Sequence, residues 1–252
     1  MANDLNVQCM PEGPSILLVR EALQPFIGKK ILTTKGNTKI EKSFLVNQKI
    51  RDVKTWGKHL LICFDDFTVR IHFLMFGTYL INDRKSTPLR LSLGFKKDEI
   101  NFYTCSVKLI MEPLNEVYDF DADVLSDSWN PRKAGLKLNK IPDKNVCDVL
   151  LDQEIFAGVG NIIKNELLFR IRVHPESIIG RLPPKIKSAL IREARKYSFD
   201  FLKWKREYVL KKHWLIYTKK TCPRDHVPVM KKYVGLTKRR TFFCEKCQVL
   251  YG

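Results

Sequence analysis

The sequence predicts an α+β chain of two domains. A β-dominated N-terminal domain is entered through one helix, and a helical domain follows that ends in a small metal-stapled hairpin. Three observations predict this. Short apolar runs of strand length fill residues 31–114, whereas helical spacing takes over after about residue 140. A polar stretch with one glycine and two prolines, SDSWNPRKAGLKLNKIP, separates the two regimes. The last three of the seven cysteines gather near the C-terminus in metal-ligand spacing.

The elements follow in order. From Pro14 to Ile27, apolar side chains at Ile16, Leu17, Leu23, Phe26 and Ile27 fit a helix with one buried face, and Gly28 ends it. LLICFDDFTVRIHFLMFG reads as two strands around an Asp65-Asp66 turn. Helical patterns then run over Val146–Leu151, Ile162–Ile171, Pro184–Phe199 and Phe201–Leu210, and the final thirty-odd residues return to β. The expected divisions are an extension at 1–9 that is absent from the mature protein, a β domain at 10–128, a linker at 129–139, a helical domain at 140–216 and a metal-bound hairpin at 217–252. Two lobes of this kind leave a cleft, a common ligand site.

The net charge of +18 is unevenly placed. Residues 1–128 hold 17 Lys and Arg against 16 Asp and Glu, so 28 of the 45 basic but only 11 of the 27 acidic residues lie from Trp129 onward. A basic half-molecule reads as a polyanion-binding surface, or more blandly as a solubilising one. No run reaches the ~18 apolar residues of a membrane span, and the first nine residues lack a secretory pattern. Four cysteines are scattered singly and the total is odd, which speaks for a reducing compartment. A cytoplasmic, nucleoid-associated protein is expected, or a nuclear one in a eukaryote, and a monomer.

Three motifs carry chemistry. In TCPRDHVPVMKKYVGLTKRRTFFCEKCQ, Cys244 and Cys247 form a C-x2-C pair, and Cys222 with His226 lies upstream as C-x3-H. Thiolates and an imidazole suit one tetrahedral Zn²⁺ in a closed structural site. A regular finger would place its second ligand at Asp225. His226 is preferred on softness, and a hairpin without zinc is the alternative. Lys238, Arg239 and Arg240 sit near the hairpin tip, where cationic groups reach phosphates. In FAGVGNIIKNELLFRIRVHP, Gly158 and Gly160 permit a tight turn at positive φ, and Asn161 suits the N-cap of the helix that follows. This is a helix–turn–helix-like unit whose helix start could bind phosphate, or a plain helical hairpin. In MPEGPSI, Pro11 becomes a secondary amine if it is the first residue. An α-amino group has a pKa near 8, so a useful fraction is neutral at pH 7 and can attack a sugar C1′. Glu12 beside it could move protons. The bland reading is a helix start with proline and an acid in its first turn.

Taken in this order, the motifs resemble the formamidopyrimidine-DNA glycosylase/endonuclease VIII (Fpg/Nei) family from Met10 to the C-terminus. The matching pieces are PEGP, the GK lysine of WGKHLL, GVGN with its following NE, and a finger ending in C-x2-C-Q. The resemblance implies a β-sandwich N-terminal domain, a helix–two-turn–helix domain and a β-hairpin zinc finger. It implies a DNA-repair enzyme, a bifunctional glycosylase and AP lyase acting on damaged double-stranded DNA. Pro11 would be the nucleophile that forms the Schiff base, Glu12 the acid/base and Lys58 a phosphate contact supporting catalysis. Asn161 would grip the phosphate by the lesion, Arg239 would hold DNA from the finger, and Glu166 would have a structural or site-shaping role. Leu74, Met75 and Phe76 stand where the family places the wedge that fills the gap left by a flipped nucleotide; the alternative is strand core. PEGP is similar to the endonuclease VIII side, which implies oxidised pyrimidines as substrates and β,δ-elimination. If the residues before Pro11 persist, the implied alternative is a damaged-DNA-binding protein without chemistry.

Overall fold

A computed structural model of the chain describes residues 11–252, so the expected extension at 1–9 lies outside the described residues. The chain divides into two compact units after Tyr118.

In the first unit, helix α1 (Gly13–Leu23) starts at Glu12, whose backbone is extended and whose carbonyl accepts from Ser15 N and Ile16 N. Pro14 at the head of the helix supplies a pre-set φ where no intrahelical N–H is needed. Six strands follow: β1 (Thr33–Lys35), β2 (Asp52–Trp56), β3 (His59–Cys63), β4 (Thr68–Ile81), β5 (Leu89–Gly94) and β6 (Glu99–Ile110), then a one-turn helix α2 (Leu114–Val117). They form one antiparallel sheet in the order β1-β5-β6-β4-β3-β2. The sandwich implied by the resemblance takes the form of this continuous sheet with one core. That core collects Ile16, Val19 and Leu23 of α1 with Val53, Leu60, Ile62, Val69, Ile71, Leu91, Leu93, Ile100 and Phe102. Asp65 and Asp66 do make the turn between β3 and β4, closed by Phe64 N donating to Phe67 O at 2.9 Å.

The β4–β6 ladder breaks once. Phe73 pairs with Cys105 and Thr78 with Tyr103, so β4 advances five residues while β6 advances two. The three surplus residues bulge out of the pairing. Gly77 closes the bulge because a Cβ there would lie 2.8 Å from Phe73 Cα.

The second unit holds α3 (Pro131–Asn139), α4 (Val146–Leu151), α5 (Gln153–Phe156), α6 (Asn161–Arg170), α7 (Pro184–Arg206) and a hairpin of β7 (Met230–Val234) and β8 (Arg239–Phe243). The stretch expected as a linker at 129–139 is therefore mostly helix, and its polarity has a local cause. Asn130 caps α3 by accepting from Lys133 N, Pro131 opens it, and Lys133 and Lys137 pair with Asp119 at 2.8 and 2.9 Å. Only Ala134 and Leu138 need to be buried. Residues 184–206, expected as two helices, form one, with Leu190, Ala194, Tyr197 and Phe201 inside at alternating spacings of four and three. Every residue from Asn161 to Phe169 in α6 is buried, polar ones included. No helix among the described residues is long and apolar enough to cross a membrane.

Candidate active site and nucleic-acid interface

In the first unit, Pro11 is half-buried and Glu12 is buried to 1% exposure at the head of α1. The helix is tied to β2 by Arg20 Nε donating to Val53 O at 2.9 Å. Lys58 stands on the two-residue turn between β2 and β3, where Gly57 takes the positive φ (53°) that such hairpin turns require. Aromatic rings pack beside this turn: Trp56 and Tyr118 lie 4.8 Å apart, and His59 meets His72 edge-on at 5.3 Å. The Tyr118 hydroxyl and His59 Nδ1 are 3.2 Å apart. Burial, then the neighbouring Arg70, His72 and Lys58, push the His59 pKa down to about 3. Burial with Lys58 and Arg70 lowers that of His72 as well. The imidazoles are thus neutral near pH 7 and leave the cationic character of this corner to Lys58 and Arg70. On the bulge, Leu74, Met75 and Phe76 are 46%, 51% and 61% exposed, so they are not strand core.

In the second unit, the α5–α6 turn uses one positive φ, at Gly158 (96°), whose N–H donates to Gln153 Oε1; Gly160 is extended. The cap of α6 is Gly160, not Asn161. The reason is a competing partner, because Asn161 Nδ2 donates to Arg240 O at 2.9 Å. Two more α6 side chains bond to the next two residues of β8. Lys164 Nζ donates to Thr241 Oγ1 at 2.8 Å, and Asn165 Oδ1 accepts from Phe242 N at 2.7 Å. The turn glycines and the strand carrying Arg239 are thereby joined through buried side chains. Arg239 itself is exposed. Glu166 is fully buried and accepts from the consecutive amides of Leu215, Ile216 and Tyr217 at 2.8–3.0 Å.

At the finger, Cys222, Asp225, Cys244 and Cys247 bring one donor atom each within 4.8 Å of one another. His226, the ligand preferred on softness, is outside this set. Its N–H donates to Cys222 O just as Gln248 N donates to Cys244 O, so Cys222–Asp225 and Cys244–Cys247 form equivalent turns. His226 follows the second donor at a φ of 56°, exposed. The donor set fits a tetrahedral ion. With metal–sulfur and metal–oxygen bonds of ~2.3 and ~2.0 Å, sulfurs should stand about 3.8 Å apart and a sulfur and oxygen about 3.5 Å. The observed separations are 3.9 Å for Cys222 and Cys247, and 3.6 and 3.4 Å from Asp225 Oδ2 to Cys222 and Cys244. The donor set and its spacing suit a structural metal site.

Family models match both units: the formamidopyrimidine-DNA glycosylase N-terminal domain over residues 10–107 and the formamidopyrimidine-DNA glycosylase H2TH domain over residues 119–197. DNA-(apurinic or apyrimidinic site) lyase Nei2 of Mycolicibacterium smegmatis is 30% identical over 183 residues, 69% of this chain and 69% of that protein. The chain belongs to the Fpg/Nei family. Endonuclease 8-like 3 of Mus musculus is 34% identical over 206 residues, which are 78% of this chain but 34% of the mouse protein. The chain thus spans about a third of the length of that Fpg/Nei relative. Endonuclease 8-like 2 of Mus musculus is 25% identical, with 95% of this chain and 96% of that protein covered. Among solved structures, Lactococcus lactis formamidopyrimidine-DNA glycosylase bound to DNA with an AP site superposes with a TM-score of 0.83 at 22% identity, over 94% of this chain and 99% of that one. At that identity the likeness concerns the Fpg/Nei fold.

The structure thus places Pro11, Glu12, Lys58 and the Leu74–Phe76 bulge in the first unit, and Asn161, Arg239 and the metal cluster in the second. Sequence reasoning missed Lys164, which looks like an ordinary charged helix position, and Asp148, which holds the hairpin tip. Asp225 was legible as the third residue after Cys222, the spacing that Cys247 has to Cys244.

Proposed function

We propose that this Fpg/Nei member is a base-excision-repair DNA glycosylase with AP lyase activity, removing oxidised bases, pyrimidines foremost. The observation that carries the reading is the Pro11–Glu12 pair heading the first helix of a matching N-terminal domain. In a chain beginning at Pro11, the proline nitrogen is a secondary amine with a pKa near 8. Its lone pair attacks C1′ of the damaged nucleotide, the C1′–N bond breaks, and the base leaves with a proton. The nitrogen loses its own proton, and the C1′–O4′ bond then breaks, with a proton delivered to O4′, as the iminium forms. Removal of a C2′ proton then expels the 3′ phosphate, and a second elimination expels the 5′ phosphate. Glu12 exchanges protons with the sugar. Lys58, Asn161 and Arg239 hold phosphates, and Leu74, Met75 and Phe76 occupy the space of the extruded nucleotide. Cys222, Asp225, Cys244 and Cys247 would hold one Zn²⁺, which would tie together the base of the finger.

The test is borohydride trapping. A chain shown by intact mass to begin at Pro11 should be captured covalently on a duplex containing an oxidised pyrimidine. Absence of an adduct from that chain would sink the mechanism. A second reading is favoured by the ten residues that precede Pro11 in the sequence. Where they are retained, the nitrogen is an amide, and the protein binds damaged DNA without cutting it. Binding without trapping by the full-length chain supports that reading.

A further inference from the structure

Four residues, Gly235–Lys238, connect β7 to β8, and they present Leu236 to solvent at 79% exposure, the highest among the exposed large apolar residues. The loop around it is not loose. Asp148 of α4 accepts from Leu236 N at 3.0 Å through Oδ2, and from Thr237 N and Thr237 Oγ1 at 3.4 and 3.5 Å through Oδ1. Lys238 N closes the turn onto Gly235 O at 3.2 Å. Gly235 adopts a φ of +78°, and a Cβ there would stand 2.4 Å from Asp148 Oδ1. A half-exposed carboxylate that accepts from two successive amides, and a glycine at left-handed φ, thus hold a backbone whose side chain is offered outward. Around it, Lys231, Lys232, Lys238, Arg239 and Arg240 are all exposed, and residues 230–243 contain no acid. A rigid apolar point inside a cationic collar complements an apolar base step between rows of phosphates.

We propose that Leu236 is a second apolar wedge, which the finger sets against a base step from the minor-groove side while Lys238 and Arg239 bind the flanking phosphates. Asp148 is its positioning residue. The inference rests on the DNA-binding reading above and names a further contact within it. Its ligand is DNA whose stacking is already weakened, as it is beside a lesion.

The test uses the full chain and a duplex carrying a tetrahydrofuran abasic analogue, with 2-aminopurine in the adjoining step. Affinity is measured by anisotropy across a KCl series, and the base signal by fluorescence. Leu236→Ala should lose about tenfold in affinity, in line with the removal of most of a leucine's apolar surface. Its salt slope should be unchanged, because no charge is lost, and the 2-aminopurine response should fall. Leu236→Met should restore both. Asp148→Asn should weaken the fluorescence response more than the binding. Arg239→Ala serves as the counterpart, with a salt slope shallower by about one. If Arg239→Ala behaves so while Leu236→Ala matches the parent in affinity and fluorescence, the wedge is overturned and DNA binding by the finger stands; a leucine reserved for a protein contact gives that result. If the parent chain does not prefer the lesion duplex and Arg239→Ala changes nothing, the DNA-binding reading falls with it. Leu236 is 79% exposed, so its alanine and methionine variants should keep the parent's thermal midpoint.

Discussion

Replacing Glu166 with alanine removes the acceptor for three consecutive backbone amides, and the structure permits the cost to be worked out. Oε1 lies 3.0, 2.9 and 2.8 Å from the nitrogens of Leu215, Ile216 and Tyr217, and Oε2 lies 2.9 Å from Leu215 N. The carboxylate is fully buried, as is Ile216, whereas Leu215 and Tyr217 are partly exposed. A buried amide left without a partner costs about 1–3 kcal/mol. One such amide and two that water can partly reach give about 3–6 kcal/mol, a large share of a domain's ~5–15 kcal/mol. Glu166→Gln keeps an oxygen where Oε1 stands but loses the charge, so it should cost about 2 kcal/mol. Hydrogen exchange read at residues 215–217, with urea unfolding of the second unit, measures both. Alanine should bring those amides to the exchange rate of an exposed loop, and glutamine should fall between. The reasoning fails if alanine stays within about 1 kcal/mol of the parent, or if glutamine is as damaging as alanine, since the cost would then not lie in unmet amides.

Two other predictions follow from the same geometry. Asp225→Ala should lose most of its bound zinc by elemental analysis, whereas His226→Ala should keep the parent's stoichiometry; the reverse would restore His226 as the ligand. The first unit should lose stability in acid because of His59. Its folded pKa of about 3 lies below the ordinary 6.5. Between those values the unfolded chain takes up a proton that the folded chain refuses. His59 therefore contributes stability that is present above pH 6.5 and lost as pH falls toward 3, by at most about 1.4 kcal/mol per pH unit. Unfolding at pH 7 and pH 5 should show a smaller drop for His59→Phe than for the parent, and equal drops would count against a neutral His59.

Much of the architecture was legible because it rests on local chemistry. The α-helix itself stops at Leu23, a 3-10 turn over Gln24–Phe26 carries the segment on, and Gly28 follows at a φ of 81°; Asp65-Asp66 turns where two acids between apolar runs suggested. What escaped reading depended on partners distant in sequence. Asn161 has the residue type of a cap, yet its side chain serves a carbonyl 79 residues away. Lys164 and Asn165 look like solvent-facing helix residues and are buried because β8 supplies their partners. The segment 129–139 reads as a linker because its helix needs only two buried positions and draws the rest of its support from ion pairs. At the finger, softness favoured His226, while the repeated turn geometry decided for Asp225. Exposure of the Leu74–Phe76 bulge follows from a slip between two strands, which no run of apolar letters discloses.

The bonds from α6 to residues 240, 241 and 242 act as a ruler. Side chains alternate along β8, so sliding the strand by one position would set Phe242 or Arg240 against the Lys164 ammonium in place of the Thr241 hydroxyl. Neither arrangement is tolerable in a buried setting. The strand can therefore be read against the helix in only one way, and the interval from Arg239 to Cys244 becomes a fixed length measured from the helix as well as from the metal. An insertion there would not simply lengthen the finger; it would uncouple the arginine from the turn glycines while leaving both in place. The chain thus stores the distance between two expected phosphate contacts in three buried side chains, independently of whether the ion is bound.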